Sequence, residues 1–128
     1  MSIGCAVLMC HAPIVLPEIA GARASACQAT TQAMIEVART LCMHEPALVV
    51  LVSPHAPRRR EGFGLSHAAT LEGSFARFGH PQLALRSQGA PEAARAVANA
   101  AEALGIACHR LGEREREHGT RVPLHCLL

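Results

Sequence analysis

The chain has 128 residues, a length that suits one domain or part of one. Half of the residues are hydrophobic, but only 2% are aromatic, so a core must be built from alanine, leucine, valine and isoleucine. A formal net charge of +2 is too small to argue for a nucleic-acid or membrane-surface partner, and no stretch is long and apolar enough to span a bilayer.

The first half of the chain predicts a strand, a helix and a second strand. Residues 4–9 form a short uncharged run that indicates a buried strand, followed by a loop over residues 10–23. Ser25 is predicted to cap a helix of about 18 residues, whose apolar residues recur at helical spacing. Residues 47–52 then indicate a second buried strand. A strand, helix and strand in this order predict parallel pairing through a right-handed crossover.

The middle of the chain is less regular and then becomes clearly helical. Residues 58–81 contain glycines and phenylalanines and predict a loop with one or two short strands, such as 62–67. Residues 82–86 alternate as a strand does. Pro91 suits the first turn of the next helix, and Gly105 is placed to end it.

The last quarter predicts a strand at residues 106–110, a charged loop at 112–117 and a final helix. That helix is expected to begin around Val122, with Pro123 near its first position. The chain stops within the first turn of this predicted helix, which suggests a domain that continues beyond Leu128. The expected fold class is α/β, a mostly parallel sheet flanked by helices, incomplete at the C-terminus.

Two histidines, His11 and His55, each come directly after a predicted buried strand. Ligands bind outside the carboxyl ends of parallel strands, so the two imidazoles can converge on one point. Imidazole is the commonest side-chain ligand for transition metals, so we expect a metal site there. The alternative is two unrelated loop histidines. The chain has no aspartate, and no third ligand stands out.

A third histidine, His118, follows the charged loop and precedes a glycine and a threonine. Its surroundings suit a ligand, an acid or base, or a hydrogen-bond donor, and the alternative is an ordinary loop histidine. The other histidines have less specific surroundings and are expected to be structural: His44, His67, His80, His109 and His125. The sequence has no P-loop and no GxGxxG motif, which excludes the common nucleotide-binding classes.

The six cysteines indicate a reducing compartment. They form no C-x-x-C pair, and several lie in apolar runs where a free cysteine behaves as a small hydrophobic residue. We therefore expect a cytoplasmic protein without disulfides. The apolar N-terminus has no basic residue before it and is interrupted by His11, Pro13 and Glu18, so it is not expected to be a signal peptide.

Four segments along the whole chain, in order, carry a family resemblance. They are Leu8-Met9-Cys10-His11-Ala12-Pro13 with Val15-Leu16-Pro17-Glu18-Ile19, Val50-Leu51-Val52-Ser53-Pro54-His55, Gly73-Ser74-Phe75-Ala76-Arg77-Phe78-Gly79-His80-Pro81, and Leu111-Gly112-Glu113-Arg114 with His118-Gly119-Thr120 and Val122-Pro123-Leu124. Together they resemble the N-terminal half of the class III extradiol ring-cleavage dioxygenase domain, the LigB-like fold. The chain is most similar to the version at the front of AmmeMemoRadiSam system protein A.

The resemblance implies a site with one non-heme ferrous ion, held by two histidines and a glutamate. It assigns the metal-ligand roles to His11 and His55, and a catalytic role on the substrate or oxygen side to His118. Zinc or another divalent metal is an alternative to Fe(II). The family's glutamate ligand and catalytic-base histidine belong to its C-terminal half, so neither is assigned here. Cys10 stands where a proline is usual, either as a tolerated small residue or as a soft ligand.

The expected function follows from that resemblance. Residues 1–128 are predicted to be a single partial LigB-like domain of an Fe(II)-dependent extradiol dioxygenase, which cleaves catechol-type rings with O2. The substrates would be a small aromatic diol and O2, and the site would be completed by a complementing C-terminal half or in a homo-oligomer. The alternative is a non-catalytic metal-binding or interaction module of the AmmeMemoRadiSam or Memo type. A degraded relic without metal is a further alternative.

Overall fold

A computed structural model describes residues 2–55, 60–111 and 118–128, with the backbone alone for His118. The described residues contain both helices and strands, and parallel strands are flanked by helices. The predicted α/β class is therefore confirmed.

Parallel pairing joins β1 (Phe63–Ser66) to β4 (Cys108–Leu111), with Phe63 opposite Cys108. The connection between them contains an antiparallel hairpin of β2 (Thr70–Phe75) and β3 (His80–Gln88), followed by the helix α3 (Pro91–Ala103). Parallel strands need a long crossover of this kind because a short turn cannot return the chain to the same end. The β2–β3 register shifts between Ser74 and Phe75, as at a β-bulge.

The predictions for this region are confirmed in type and differ in their ends. The strands expected at 62–67, 82–86 and 106–110 are β1, β3 and β4, and β3 is longer than expected. The helix α3 begins at Pro91 as predicted, since a proline needs no hydrogen-bond partner for its nitrogen there. Gly105, two residues beyond its end, has a φ of 71°, a left-handed conformation that glycine adopts without strain.

The remaining helices lie on both sides of these strands in sequence. α1 (Pro17–Ala20) and α2 (Gln28–Met43) precede them, and α4 (His118–Leu127) follows them. Short 3₁₀ turns at Pro13–Val15 and Gly21–Cys27 lead into α1 and α2. Within the described residues, no helix is long and apolar enough to cross a membrane.

The core lies between α2, α4 and the β2–β3 hairpin. Phe75 of β2 and Val122 of α4 are fully buried, with 0% of their surface exposed. The other members of this buried cluster are Val15, Leu16, Met34, Leu85 and Leu124. Since the chain has so few aromatic residues, Phe75 is the largest side chain that the core contains.

The predictions of strands at residues 4–9 and 47–52 are wrong. Both segments are described, and neither takes part in a strand ladder. A buried parallel strand must be covered on both faces, and these segments are covered on one. Met9 and Leu51 pack against the core, but Leu8 is 96% exposed and Val52 is 86% exposed.

The start of α2 was predicted at Ser25 and lies instead at Gln28. Ser25 is inside the preceding 3₁₀ turn, and its carbonyl accepts a hydrogen bond from the Gln28 N–H. The tighter turn therefore continues for two residues past the predicted cap before the α-helix begins.

The final helix also differs from its prediction, because α4 begins at His118 and Pro123 lies inside it. A proline within a helix removes one backbone hydrogen bond and costs about 3 kcal/mol. Here Arg121, Val122, Pro123 and Leu124 are all buried, so tertiary packing outweighs the local preference.

We expect Phe75→Ala to destabilise the protein by about 3–5 kcal/mol, because it removes the largest buried side chain and leaves a cavity. Phe78→Ala is the matched control, since Phe78 is 38% exposed. Urea unfolding followed by circular dichroism measures both free energies of unfolding. Equal losses in the two variants would contradict the assigned core.

Candidate functional site

His11 and His55 meet at the surface although 44 residues separate them in sequence. Their Nε2 atoms lie 3.0 Å apart, and their ring centroids are 4.8 Å apart with the ring planes at 70°. His55 is exposed and His11 is partly buried. The two imidazoles therefore converge as the positions after the predicted strands suggested, even though those segments do not form strands.

The position of His11 is set by the chain that follows it. Pro13–Val15 turns as a 3₁₀ helix, and both Val15 and Leu16 are buried in the core. The Thr31 hydroxyl of α2 donates a 2.7 Å hydrogen bond to the Val15 carbonyl. A turn held by both burial and a cross-element hydrogen bond restricts the backbone that carries the imidazole.

The position of His55 is set by the chain that precedes it. The His55 N–H donates to the Ser53 hydroxyl oxygen at 3.3 Å, a local turn of the kind that serine favours. Leu51, further upstream, packs against the core. Both imidazoles are thus attached to backbone that the same core holds.

Two chemical states fit this pair. With one ring as N–H donor and the other as acceptor, 3.0 Å is an ordinary hydrogen bond between neutral imidazoles. With both Nε2 lone pairs turned toward a shared cation, the same atoms are metal ligands. Among the described residues, no group of three or more histidine, cysteine or glutamate side chains is arranged to hold a metal ion. The described part of the chain thus offers two donors.

The predicted third site residue, His118, begins α4. Its side chain lies outside the described part of the structure, as do residues 112–117 of the same segment, so its catalytic role stays a prediction. Two of the histidines expected to be structural make ordinary contacts. His109 Nε2 lies 3.0 Å from the Glu61 carbonyl, and His125 Nε2 lies 3.7 Å from a Glu18 carboxylate oxygen.

A second group of ionisable side chains lies behind His11. Cys10 and Cys126 both pack against the core, which supports the interpretation of Cys10 as a tolerated small residue. Burial raises the pKa of the Cys126 thiol, and the nearby charges of Glu18 and of a Cys10 thiolate raise it further. The Cys126 thiol is therefore kept protonated and poorly nucleophilic.

One residue that the sequence interpretation missed is Arg121. It is 2% exposed, and its Nη1 donates a 2.6 Å hydrogen bond to the Ser74 carbonyl. The signal that could have found it is a single charged residue directly before the apolar run Val122-Pro123-Leu124, at a position that helical spacing places one turn after His118.

Residues 5–128 match the family model described as the catalytic LigB subunit of aromatic ring-opening dioxygenase. The match includes all three predicted site histidines, His11, His55 and His118. It supports the family that the four segments indicated, whereas the AmmeMemoRadiSam subtype stays a prediction.

Among curated proteins, Protein CA_C1420 of Clostridium acetobutylicum is 26% identical over 85 residues. That alignment includes 66% of this chain and only 18% of the relative, so the chain matches a small part of the length of that relative. No solved structure matches the chain.

We expect the alkylation rate of Cys126 to reach half of its plateau at a pH above the ordinary thiol value, because only the thiolate reacts and burial raises the Cys126 pKa. Iodoacetamide labelling across a pH series, quantified by mass spectrometry, gives this midpoint. Alkylation of the exposed Cys42 in the same samples is the control for the activity of the reagent. A Cys126 midpoint at or below the ordinary value would contradict the expected shift.

Proposed function

Because this chain belongs to the LigB family of aromatic ring-opening dioxygenases, we propose that it supplies the two-histidine side of an iron-dependent site for extradiol ring cleavage. The observation that carries the proposal is the 3.0 Å approach of His11 Nε2 to His55 Nε2. Catechol-type diols and O2 are the proposed substrates, and the two imidazoles are the proposed metal ligands.

The distance between the two nitrogens suits binding to a shared ion. Two imidazole nitrogens bound to one divalent ion at about 2.1 Å would lie about 3.0–3.4 Å apart, depending on the angle between their bonds. The separation of His11 Nε2 from His55 Nε2 lies at the short end of that range. The choice of Fe(II) over zinc rests on the resemblance to the extradiol dioxygenases, whose ferrous ion is held by two histidines and one carboxylate.

The chemistry that bound iron supplies is to hold a diol and O2 side by side in its open positions. The exposed side of His55 leaves room for such a substrate. His118 is proposed to act on the substrate or oxygen side, as a proton donor or acceptor. The remaining carboxylate ligand and the base that takes the second phenolic proton are proposed to come from a complementing polypeptide segment.

The segments that lead to the two histidines suit such a partner. Leu8, three residues before His11, is 96% exposed, and Val52, three residues before His55, is 86% exposed. Exposed large apolar side chains mark a surface that another polypeptide covers. A segment packed there would bury these residues and bring its own donor to the ligand pair. A second copy of the chain is the other proposed source of that donor.

We also place the protein in the cytoplasm. All six cysteines are free thiols in the structure, although two of them, Cys10 and Cys126, pack against the same core. Thiols persist in a reducing compartment, and small extracellular domains of this size more often use their cysteines in disulfides.

We expect His11→Ala and His55→Ala each to weaken ferrous-iron binding about tenfold or more, since each removes one of two donors at a single site. Anaerobic calorimetric titration of the purified chain measures the affinity. The control is His44→Ala, an exposed histidine that follows the end of α2 and has no proposed metal-ligand role.

The titration decides the proposal. Equal weakening by the two variants, with His44→Ala unchanged, supports one shared iron site. Binding that survives both substitutions places the metal elsewhere, and a folded chain that binds no iron contradicts the proposed role of the pair.

A non-catalytic metal-binding module is the second candidate, favoured by the presence of only two clustered donors among the described residues. The two candidates differ in oxygen consumption. Catechol added to the iron-loaded protein, together with its complementing segment, should start O2 uptake in a dioxygenase and leave O2 unchanged in a binding module.

A further inference from the structure

Arg121 is the one charged side chain that the described core buries, with 2% of its surface exposed. It projects from α4 to the β2–β3 hairpin, where its Nη1 donates a 2.6 Å hydrogen bond to the Ser74 carbonyl. A buried guanidinium loses its hydration, so it persists only where hydrogen bonds replace the lost water. An apolar side chain of similar length would avoid that loss, and it would also lack the hydrogen bond to β2.

The hairpin is shaped to receive this side chain. A Cβ added at Gly73 would lie 2.9 Å from Arg121 Nε and 3.1 Å from its Cδ, closer than real Cβ contacts allow without movement. The arginine stem therefore crosses β2 at the one residue that has no side chain. The next residue, Ser74, presents the carbonyl that accepts the hydrogen bond, beside the register shift of the hairpin.

The place of Arg121 in α4 gives this contact a consequence for the site. Arg121 lies three residues after His118, about one helical turn. The first backbone N–H groups of a helix have no partners within it, so the start of a helix frays easily. A side chain that attaches this start to a neighbouring strand restricts its motion. The attachment at Arg121 therefore acts on the segment that carries His118.

We propose that Arg121 is a positioning residue, which attaches the first turn of α4 to β2 and thereby fixes the location of His118. The use of His118 in catalysis rests on the function proposed above, whereas its attachment through Arg121 does not. Gly73 takes part by leaving the space that the guanidinium stem occupies.

The test compares Arg121→Met, Arg121→Lys and Gly73→Ala in the full chain, with Arg95→Met as a matched control in an exposed helix, α3. The imidazole resonances of His118 are recorded by NMR in each variant. We expect them to shift in Arg121→Met and Gly73→Ala and to return part of the way in Arg121→Lys, because lysine keeps the charge and one donor but not the planar fork. The resonances of the exposed His44 should not move.

Hydrogen exchange gives a second readout. Loss of a charged hydrogen bond should accelerate exchange about tenfold or more at the amides of α4 that follow Arg121, because their N–H groups bond to carbonyls of the first turn. Ferrous-iron affinity at His11 and His55 should stay within about twofold, because both histidines lie outside α4 and the β2–β3 hairpin.

Unchanged His118 resonances in a folded Arg121→Met variant would overturn the proposal. If that variant does not fold, Gly73→Ala and Arg121→Lys decide in its place, and His118 resonances unchanged in both would overturn it equally. A wild-type chain that binds no iron would contradict the proposed function alone, since the His118 resonances still report on Arg121.

Discussion

The packing of α4 against α2 and the β2–β3 hairpin is the contact on which the rest of the structure depends. Val122 and Leu124 of α4 join Phe75 of the hairpin and Met34 of α2 in one buried cluster. The turn after His11 enters the same cluster through Val15 and Leu16, and the segment before His55 touches it through Leu51. The core that stabilises the chain is thus also the support that brings the two imidazoles together.

The backbone that carries the two histidines is held in place, whereas the set of metal ligands is not complete. The backbone next to each histidine is held by burial and by side-chain hydrogen bonds from Thr31 and Ser53. The His55 side of the pair is exposed, and so are the apolar residues Leu8 and Val52 in the segments that lead to the two histidines. A ligand pair that is already positioned loses little conformational entropy when further donors arrive, so the cost of assembling a metal centre falls on the segment that joins it.

The sequence predicted local structure well where local chemistry decides it. Pro91 and Gly105 mark the ends of α3 because each acts through its own backbone conformation. The runs at 4–9 and 47–52 were predicted as strands because apolar composition records a tendency to be buried, but it does not record whether a neighbouring strand is present to pair. The prediction that Pro123 lies near the start of the final helix was wrong for a different reason. The packing of α4 outweighs the preference of proline for the first turn of a helix.

At the candidate site, too, one contact was predictable from the sequence and another was not. The meeting of His11 and His55 was predictable from their positions, since each histidine follows an apolar run. The contacts of Arg121 were not predictable, because its partner is a backbone carbonyl and the space it fills is the missing side chain of Gly73. The sequence marks Arg121 only as a charged residue before an apolar run and does not indicate which strand it contacts.

The parallel pairing of β1 with β4 also governs the order in which the chain can fold. The two strands are separated by the whole hairpin and by α3, so their contact closes a long loop and loses the corresponding chain entropy. The hairpin and the helix close over short distances and form from local contacts. The β1–β4 pair is therefore a late event in folding, and a ribosome must release residues up to Leu111 before β1 finds its partner.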